Sequence, residues 1–417
     1  MTIQDKVLSK TLKIVNGKLL RNVEDVASIE NLVEILNKKG YIGKNIIDTK
    51  VYSREEKLVE HEILKYIIHS GEYTESMAYD VNNLSLKMAL DLVDDGAYAY
   101  DLLPHNFTFH NGNWFLYDFD SFQLKPEKVI TEIRGFFKII FSNYEILRLI
   151  QREELGHYYL TRYKIEDIRK MIPYHRWLYL FTNQILCNLL CFFNLNKIVY
   201  IYLKFLFNKY GKRHKKEFLE YKENPKNRII NELLKENNIK NALCIGYDAS
   251  NFAIYDEQNN SNITKVVYLE DYKICDKYYN YVVKEGFTTI IPAVLYPLLE
   301  DEEIEKSLKY RALYDTYTQE RFYSNAVICL DKNIEDELIE KLSILTEKIL
   351  VLSRENNIEK LKTLFEVVET KDNYIIAKSK FNSYIPIANK PYLDGNRGIK
   401  AIRQSNIVGE MLKRRKK

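Results

Sequence analysis

The residues best suited to chemistry in this 417-residue chain lie between Tyr98 and Phe122. Asp101 is followed five residues later by Asn106, and a second acidic pair, Asp118 and Asp120, comes after a short intervening segment. A loop aspartate can take the proton of an attacking hydroxyl. An asparagine five residues on, and an aspartate beyond a hairpin, can hold the magnesium bound to nucleotide phosphates. The order therefore marks a candidate ATP and magnesium site, with Asp101 as base and Asn106 and Asp118 on the metal. Phosphoryl transfer also needs an anchoring lysine and a loop over the phosphates. No glycine-rich loop precedes residue 90, and Lys44 and Lys50 are candidate anchors that nothing distinguishes from surface lysines. The alternative is that Asp101 and Asn106 hold the loop backbone through side-chain hydrogen bonds.

A second group lies further along. The apolar run from Leu243 ends on Gly246, the run from Lys265 ends on Glu270 with Asp271 beside it, and the run Ala326–Leu330 is followed by Asp331. Glycine lets a backbone approach a ligand closely, and an acid at the end of a neighbouring strand can accept hydrogen bonds from ribose hydroxyls. Gly246, Glu270 and Asp271 are thus candidate cofactor contacts. Asp331 is a candidate general base, placed at the carboxyl end of a strand. An ordinary turn or helix-capping aspartate is the alternative.

The elements that must carry these residues can be read from periodicity. Phe107–His110 and Trp114–Tyr117 read as strands joined by the tight-turn pair Asn111-Gly112. Helices are expected over Ser28–Lys39, stopping at Gly40, and over 84–95, stopping at Gly96. Residues 127–220 read as mainly helical, and 1–89 leave little room for a full kinase-type small lobe. Beyond Pro225, a polar helix at 229–240 leads into apolar runs at 241–246, 265–270, 288–291, 326–330 and 348–352, with helical stretches such as 335–348 between them. That alternation implies a mostly parallel sheet covered by helices on both faces. Leu364–Val368 and Asn373–Ala377 then close it as an antiparallel pair. The domains expected are 1–222, a linker helix at 223–240, 241–380, and a basic tail at 381–417.

Composition narrows the partners. There are 62 basic and 58 acidic residues, a net charge of +4, so no nucleic-acid partner is expected. Cys187, Cys191, Cys244, Cys275 and Cys329 sit in apolar runs and complete no zinc-ligand pattern, which suits buried thiols in a reducing cytoplasm. The N-terminus has no signal-peptide pattern. The most hydrophobic stretch, Trp177–Phe207, is interrupted by Asn, Gln and Lys residues. No transmembrane segment is therefore expected, and two buried helices fit better. Lys209, Lys212, Arg213, Lys215 and Lys216 follow directly and leave peripheral membrane contact as the alternative to a solvated basic turn.

Both halves together resemble a bacterial family of class I S-adenosylmethionine-dependent methyltransferase-like proteins related to nodulation-type proteins, in which a degenerate kinase-like region precedes the methyltransferase domain. The N-terminal resemblance rests on Asp101-Leu-Leu-Pro-His-Asn106, Phe109-His-Asn-Gly-Asn-Trp-Phe115 and Tyr117-Asp-Phe-Asp-Ser-Phe122. The C-terminal one, from Ala242 to about Lys378, rests on strand order. It implies an α/β protein: a kinase-like, mostly helical N-terminal domain followed by a Rossmann-like methyltransferase domain. It also implies S-adenosylmethionine as cofactor and a small-molecule or glycan acceptor, such as a cell-envelope metabolite. The alternatives are a phosphotransferase using ATP and magnesium through Asp101, Asn106 and Asp118, and a non-catalytic scaffold in which both sites have decayed.

Overall fold

The computed structural model describes residues 6–7, 11–64, 68, 73–92, 95–99, 102, 106–124, scattered positions within 182–205, 216–224, 227–259, 261–294, 324–332, 334, 336, 339, 342 and 346–379. The chain divides into two compact units, one of residues 1–108, 113–215 and 391–417, the other of 109–112 and 216–390.

The first unit opens with five strands, β1 (Lys6–Val7), β2 (Leu12–Val15), β3 (Lys18–Asn22), β4 (Thr49–Ser53) and β5 (Leu58–His61). They form one antiparallel sheet in the order β1-β2-β3-β5-β4. Asn16 and Gly17, with φ of 51° and 73°, make the tight turn between β2 and β3, the two-residue hairpin turn that positive-φ residues favour. Helix α1 (Val26–Lys38) lies between β3 and β4. Its N-cap Asp25 accepts from Ser28 N at 3.1 Å, and Leu32 and Leu36, one turn apart, are buried. Helix α2 (Glu75–Leu92) follows, then β6 (Ala97–Ala99), β7 (Phe107–His110), β8 (Asn113–Leu116) and β9 (Phe122–Leu124). β6 pairs with β9, and β7 with β8 across Asn111 and Gly112.

Two expectations are corrected here. The N-terminal region is not mostly helical: its described part is mostly strand, and residues 6–61 do build a full five-stranded sheet with one helix. Nor are the described residues of 182–205 buried helices. They are helical, but most of their large apolar side chains face outward. The residues between 125 and 181, and Asp101, lie outside the described residues.

The second unit contains α3 (Asn227–Glu236), β10 (Asn241–Ile245), α4 (Tyr247–Gln258), β11 (Thr264–Leu269), α5 (Tyr272–Glu285), β12 (Ile290–Val294), β13 (Ser324–Cys329), β14 (Thr346–Ser353), α6 (Ile358–Leu364), β15 (Phe365–Lys371) and β16 (Tyr374–Ser379). The sheet order is β12-β11-β10-β13-β14-β16-β15. β10 to β14 are mutually parallel, and β16 inserts antiparallel between β14 and β15. Every residue of β10 and of β12 is buried, as expected of strands covered on both faces. The fold class is therefore α/β, with a sheet that is parallel over five strands.

A charged cluster sits at the amino-terminal edge of this sheet. Lys265, the second residue of β11, has no exposed side-chain surface and reaches Asp256 Oδ2 at 2.6 Å and Glu257 Oε2 at 3.4 Å, with Asp256 also fully buried. Glu257 in turn accepts from the N–H groups of Thr288 and Thr289 and from the Thr289 hydroxyl. Cys187, Cys244, Cys275 and Cys329 are buried free thiols, and Cys191 lies outside the described residues. Burial pushes the Cys244 thiol up to about 12, so it behaves as a small apolar side chain. Among the described residues, no helix is long and apolar enough to cross a membrane.

Candidate functional site

In the second unit the chain first builds outward from β10 to β11 and β12, then returns to β13 on the other side of β10. Open sheets bind ligands where the order reverses, beyond the carboxyl ends of the strands. Gly246 and Asp331 stand there, at the ends of β10 and β13.

Gly246 has φ 90° and ψ 173° and passes straight into α4 with no side-chain cap. That conformation is open to glycine and strained for other residues. Its N–H donates to Tyr268 O at 3.0 Å, tying the exit of β10 to β11, and its carbonyl accepts from Ser250 N at 3.0 Å in the first turn of α4. A Cβ at Gly246 would fall within 2.7 Å of Asp331 Cγ, so the Asp331 carboxyl lies in the space that a side chain would fill. The sequence placed these two residues in separate roles; the fold brings them into contact.

Asp331 is held from behind. Asn356, buried in the turn after β14, donates to the carbonyls of Asp331 (2.9 Å) and Ser353 (3.1 Å) and accepts from Ile334 N at 2.7 Å. Burial, then the charges of Glu270 and Asp248, hold the Asp331 carboxyl above the ordinary value of 3.8. The Cys329 thiol, pushed up to about 12 by burial, also feels Asp331 and then Glu270. Glu270 is exposed at the end of β11, Asp248 lies in the first turn of α4, and the Asp248 field extends to Tyr374 at the start of β16. These residues make a local concentration of negative charge at the reversal point. Asp271 is placed differently from Glu270: it is the N-cap of α5, accepting from Ile274 N at 2.9 Å. Ser250 is buried inside α4 and donates to Tyr247 O at 2.6 Å.

The sign of the pH effect follows from the raised carboxyl. A group that binds its proton more tightly when folded lends stability below its unfolded pKa and loses it as pH rises through the folded one. Asp331→Asn is therefore expected to raise the melting temperature at neutral pH and to flatten its decline above about pH 4. Because the residue keeps solvent access, the gain should stay below about 1 kcal/mol. Parallel melting curves for the two proteins across the acid range would contradict this account of Asp331.

In the first unit, Asn106 is buried and donates to Ser121 Oγ at 3.2 Å, while its carbonyl accepts from Tyr117 N at 2.9 Å. Asp118 lies 3.7 Å from Arg21 Nη1 of β3. Arg21 was not legible as a partner, since the sequence offered Lys44 and Lys50; Lys50 instead lies 3.7 Å from Glu60. Phe119 packs between the rings of His61 (5.8 Å) and Phe122 (6.5 Å). Burial, then the Arg21 charge, push His61 down to about 3, so its ring is neutral.

Among the described residues, no cluster of His, Cys, Asp and Glu has the geometry of a metal site. No protein-family model matches the chain, and a search of curated proteins finds no match.

Proposed function

We propose that the second unit is a divergent class I S-adenosylmethionine-dependent methyltransferase. The observation that carries this reading is the strand order. Numbered within the sheet, it runs third, second, first, fourth, fifth, seventh, sixth, with only the seventh antiparallel, and it puts Gly246, Glu270 and Asp331 at the carboxyl ends of the first, second and fourth strands. That is the order expected of such enzymes.

The residues present fit the cofactor. Its sulfonium and ammonium are cationic, and Asp248, Glu270 and Asp331 provide negative charge at the reversal point. Gly246 leaves room for the Asp331 carboxyl at the end of β10, and the first-turn N–H groups of α4 can donate to a carboxylate. Glu270 would accept from the ribose hydroxyls; Asp271, beside it, has one oxygen committed to capping α5. Bound S-adenosylmethionine would supply the methyl group. Asp331 would accept the proton of the attacking hydroxyl, and its raised pKa brings it closer to the pH at which a general base works best. The protein otherwise contributes position and exclusion of water. The acceptor would be a small molecule or glycan, cell-envelope metabolites included.

The test is a thermal-shift and calorimetric titration with S-adenosylmethionine. A ligand that binds only the folded state at a hundred times its Kd stabilises it by about 2.7 kcal/mol, so a clear rise in melting temperature is expected. Asp331→Asn should reduce the cofactor-induced rise without abolishing it, since Asp248 and Glu270 keep their charges. At saturating cofactor it should lower methyl transfer by roughly 10²–10⁴-fold, the usual contribution of a general base. Absence of any cofactor-induced shift in the wild type would end this reading.

A second reading has its own observation. A helix sits between the third and fourth strands of the N-terminal sheet, and a third-strand cation, Arg21, faces Asp118. Kinase-type phosphotransferases place a cation on the third strand and a metal-binding aspartate after the catalytic loop. On this reading Asp101 is the base and Asn106 and Asp118 hold magnesium on ATP. The same thermal assay with ATP and magnesium should then show a shift that Asp118→Ala removes. No shift with either ligand favours the scaffold.

A further inference from the structure

We propose that the helical segment within residues 182–205 docks on an anionic lipid surface. The described residues there turn their apolar side chains outward. Phe192 is 75% exposed, Phe193 67%, Ile201 69% and Phe205 58%, with Leu189 and Ile198 also more than half exposed. Cys187 and Val199 are fully buried and mark the inner side. The backbone is helical on both sides of a turn, where Phe193 N donates to Leu189 O at 3.2 Å and Val199 N to Leu195 O at 3.2 Å. Phe192 and Phe193 sit edge to face, with ring centroids 5.4 Å apart. An outward apolar face of this kind marks an interaction surface rather than ordinary scattered exposure.

Charge selects the partner. From Met171 to Lys216 the sequence holds eight Lys and Arg residues and no Asp or Glu, although the whole chain is nearly balanced at 62 basic to 58 acidic residues. An apolar face rich in Phe, Leu and Ile, set in a stretch of cations, is the composition that lies in the plane of a membrane interface. Apolar burial and attraction to acidic headgroups then add. With no Asp or Glu in the stretch, a second copy of it offers these cations no opposite charge. The stretch is interrupted by Asn183, Gln184, Asn188, Asn194, Asn196, Lys197 and Lys204, too many polar residues for a spanning helix, so it is placed on the surface. The inference is independent of the methyltransferase reading.

The experiment is flotation of the full chain with vesicles of phosphatidylcholine alone, or of phosphatidylcholine mixed with phosphatidylglycerol, at low and high salt. Binding to the acidic vesicles that weakens with salt is the expected result. The double variant Phe192→Ser/Phe193→Ser should bind at least about tenfold more weakly, since each buried aromatic contributes to insertion. Its melting temperature should be unchanged, because both side chains are exposed. Lys212→Gln/Arg213→Gln leaves the apolar face intact and should weaken binding about fivefold per cation removed. Equal binding to neutral and acidic vesicles, or none to either, overturns the proposal. So does a concentration-dependent dimer that the Phe192→Ser/Phe193→Ser variant abolishes, since that would make a second copy the occupant.

Discussion

Lys265→Met is expected to lower the unfolding free energy of the second unit by about 3–5 kcal/mol, the usual cost of leaving a buried charge without its partner. Lys265 and Asp256 are both without exposed side-chain surface and 2.6 Å apart. Removing the ammonium strands the Asp256 carboxylate beneath α4. At roughly 2–4 °C per kcal/mol for a unit of this size, the fall in melting temperature should be plain in a calorimetric scan. Adding Asp256→Leu to the same chain should recover much of the loss, because an apolar pair of similar volume needs no charge compensation. The wild-type pair should also be nearly indifferent to salt, unlike the exposed Arg228–Glu232 pair on α3. A single variant that melts with the wild type would show that Lys265 escapes to water.

Gly246→Ala is expected to be costly for two separable reasons. The φ of 90° would strain any side-chain-bearing residue by roughly 1–3 kcal/mol. The new methyl would also overlap the Asp331 carboxyl. Asp331→Ala in the same background should relieve the overlap and leave the backbone strain, so the two substitutions should be non-additive in urea unfolding. On the proposed methyltransferase reading, stabilisation by S-adenosylmethionine should be lost in the single variant, since the new methyl displaces the Asp331 carboxyl. Strict additivity of the two substitutions would place Asp331 away from Gly246.

The second unit was the more legible half. Its inner strands, such as β10 and β12, are continuous apolar runs, and the residues that end such runs, Gly246, Glu270 and Asp331, could be singled out as candidates from the sequence; that they flank a reversal of strand order came from the fold. The contact between Gly246 and Asp331 was not legible. It depends on β13 lying next to β10, although the two residues are far apart in sequence. The N-terminal sheet was missed because its strands are short and half exposed. β4 alternates buried or half-buried with exposed positions and carries Lys50, while β5 carries Glu60, so neither stands out among the mixed apolar and charged residues around it. The same charges hid Arg21 and Lys265. A lysine in sequence reads as surface, and only the fold puts Lys265 over the end of α4. The apolar stretch after Trp177 was read as core because hydrophobicity was taken to mean burial; the exposed Phe192 and Phe193 show where that inference fails.

The clamp made by Asn356 has a consequence for how this crevice can change. It grips the backbone of Asp331 and leaves the carboxylate alone. The shape of the β13 exit and the chemistry displayed on it are thus specified by different residues. Exchanging the side chain at 331 alters what the crevice does without undoing how it is built. Exchanging Asn356 would disturb the frame for any residue placed there. A frame wired this way can accept a new side chain at 331 one substitution at a time.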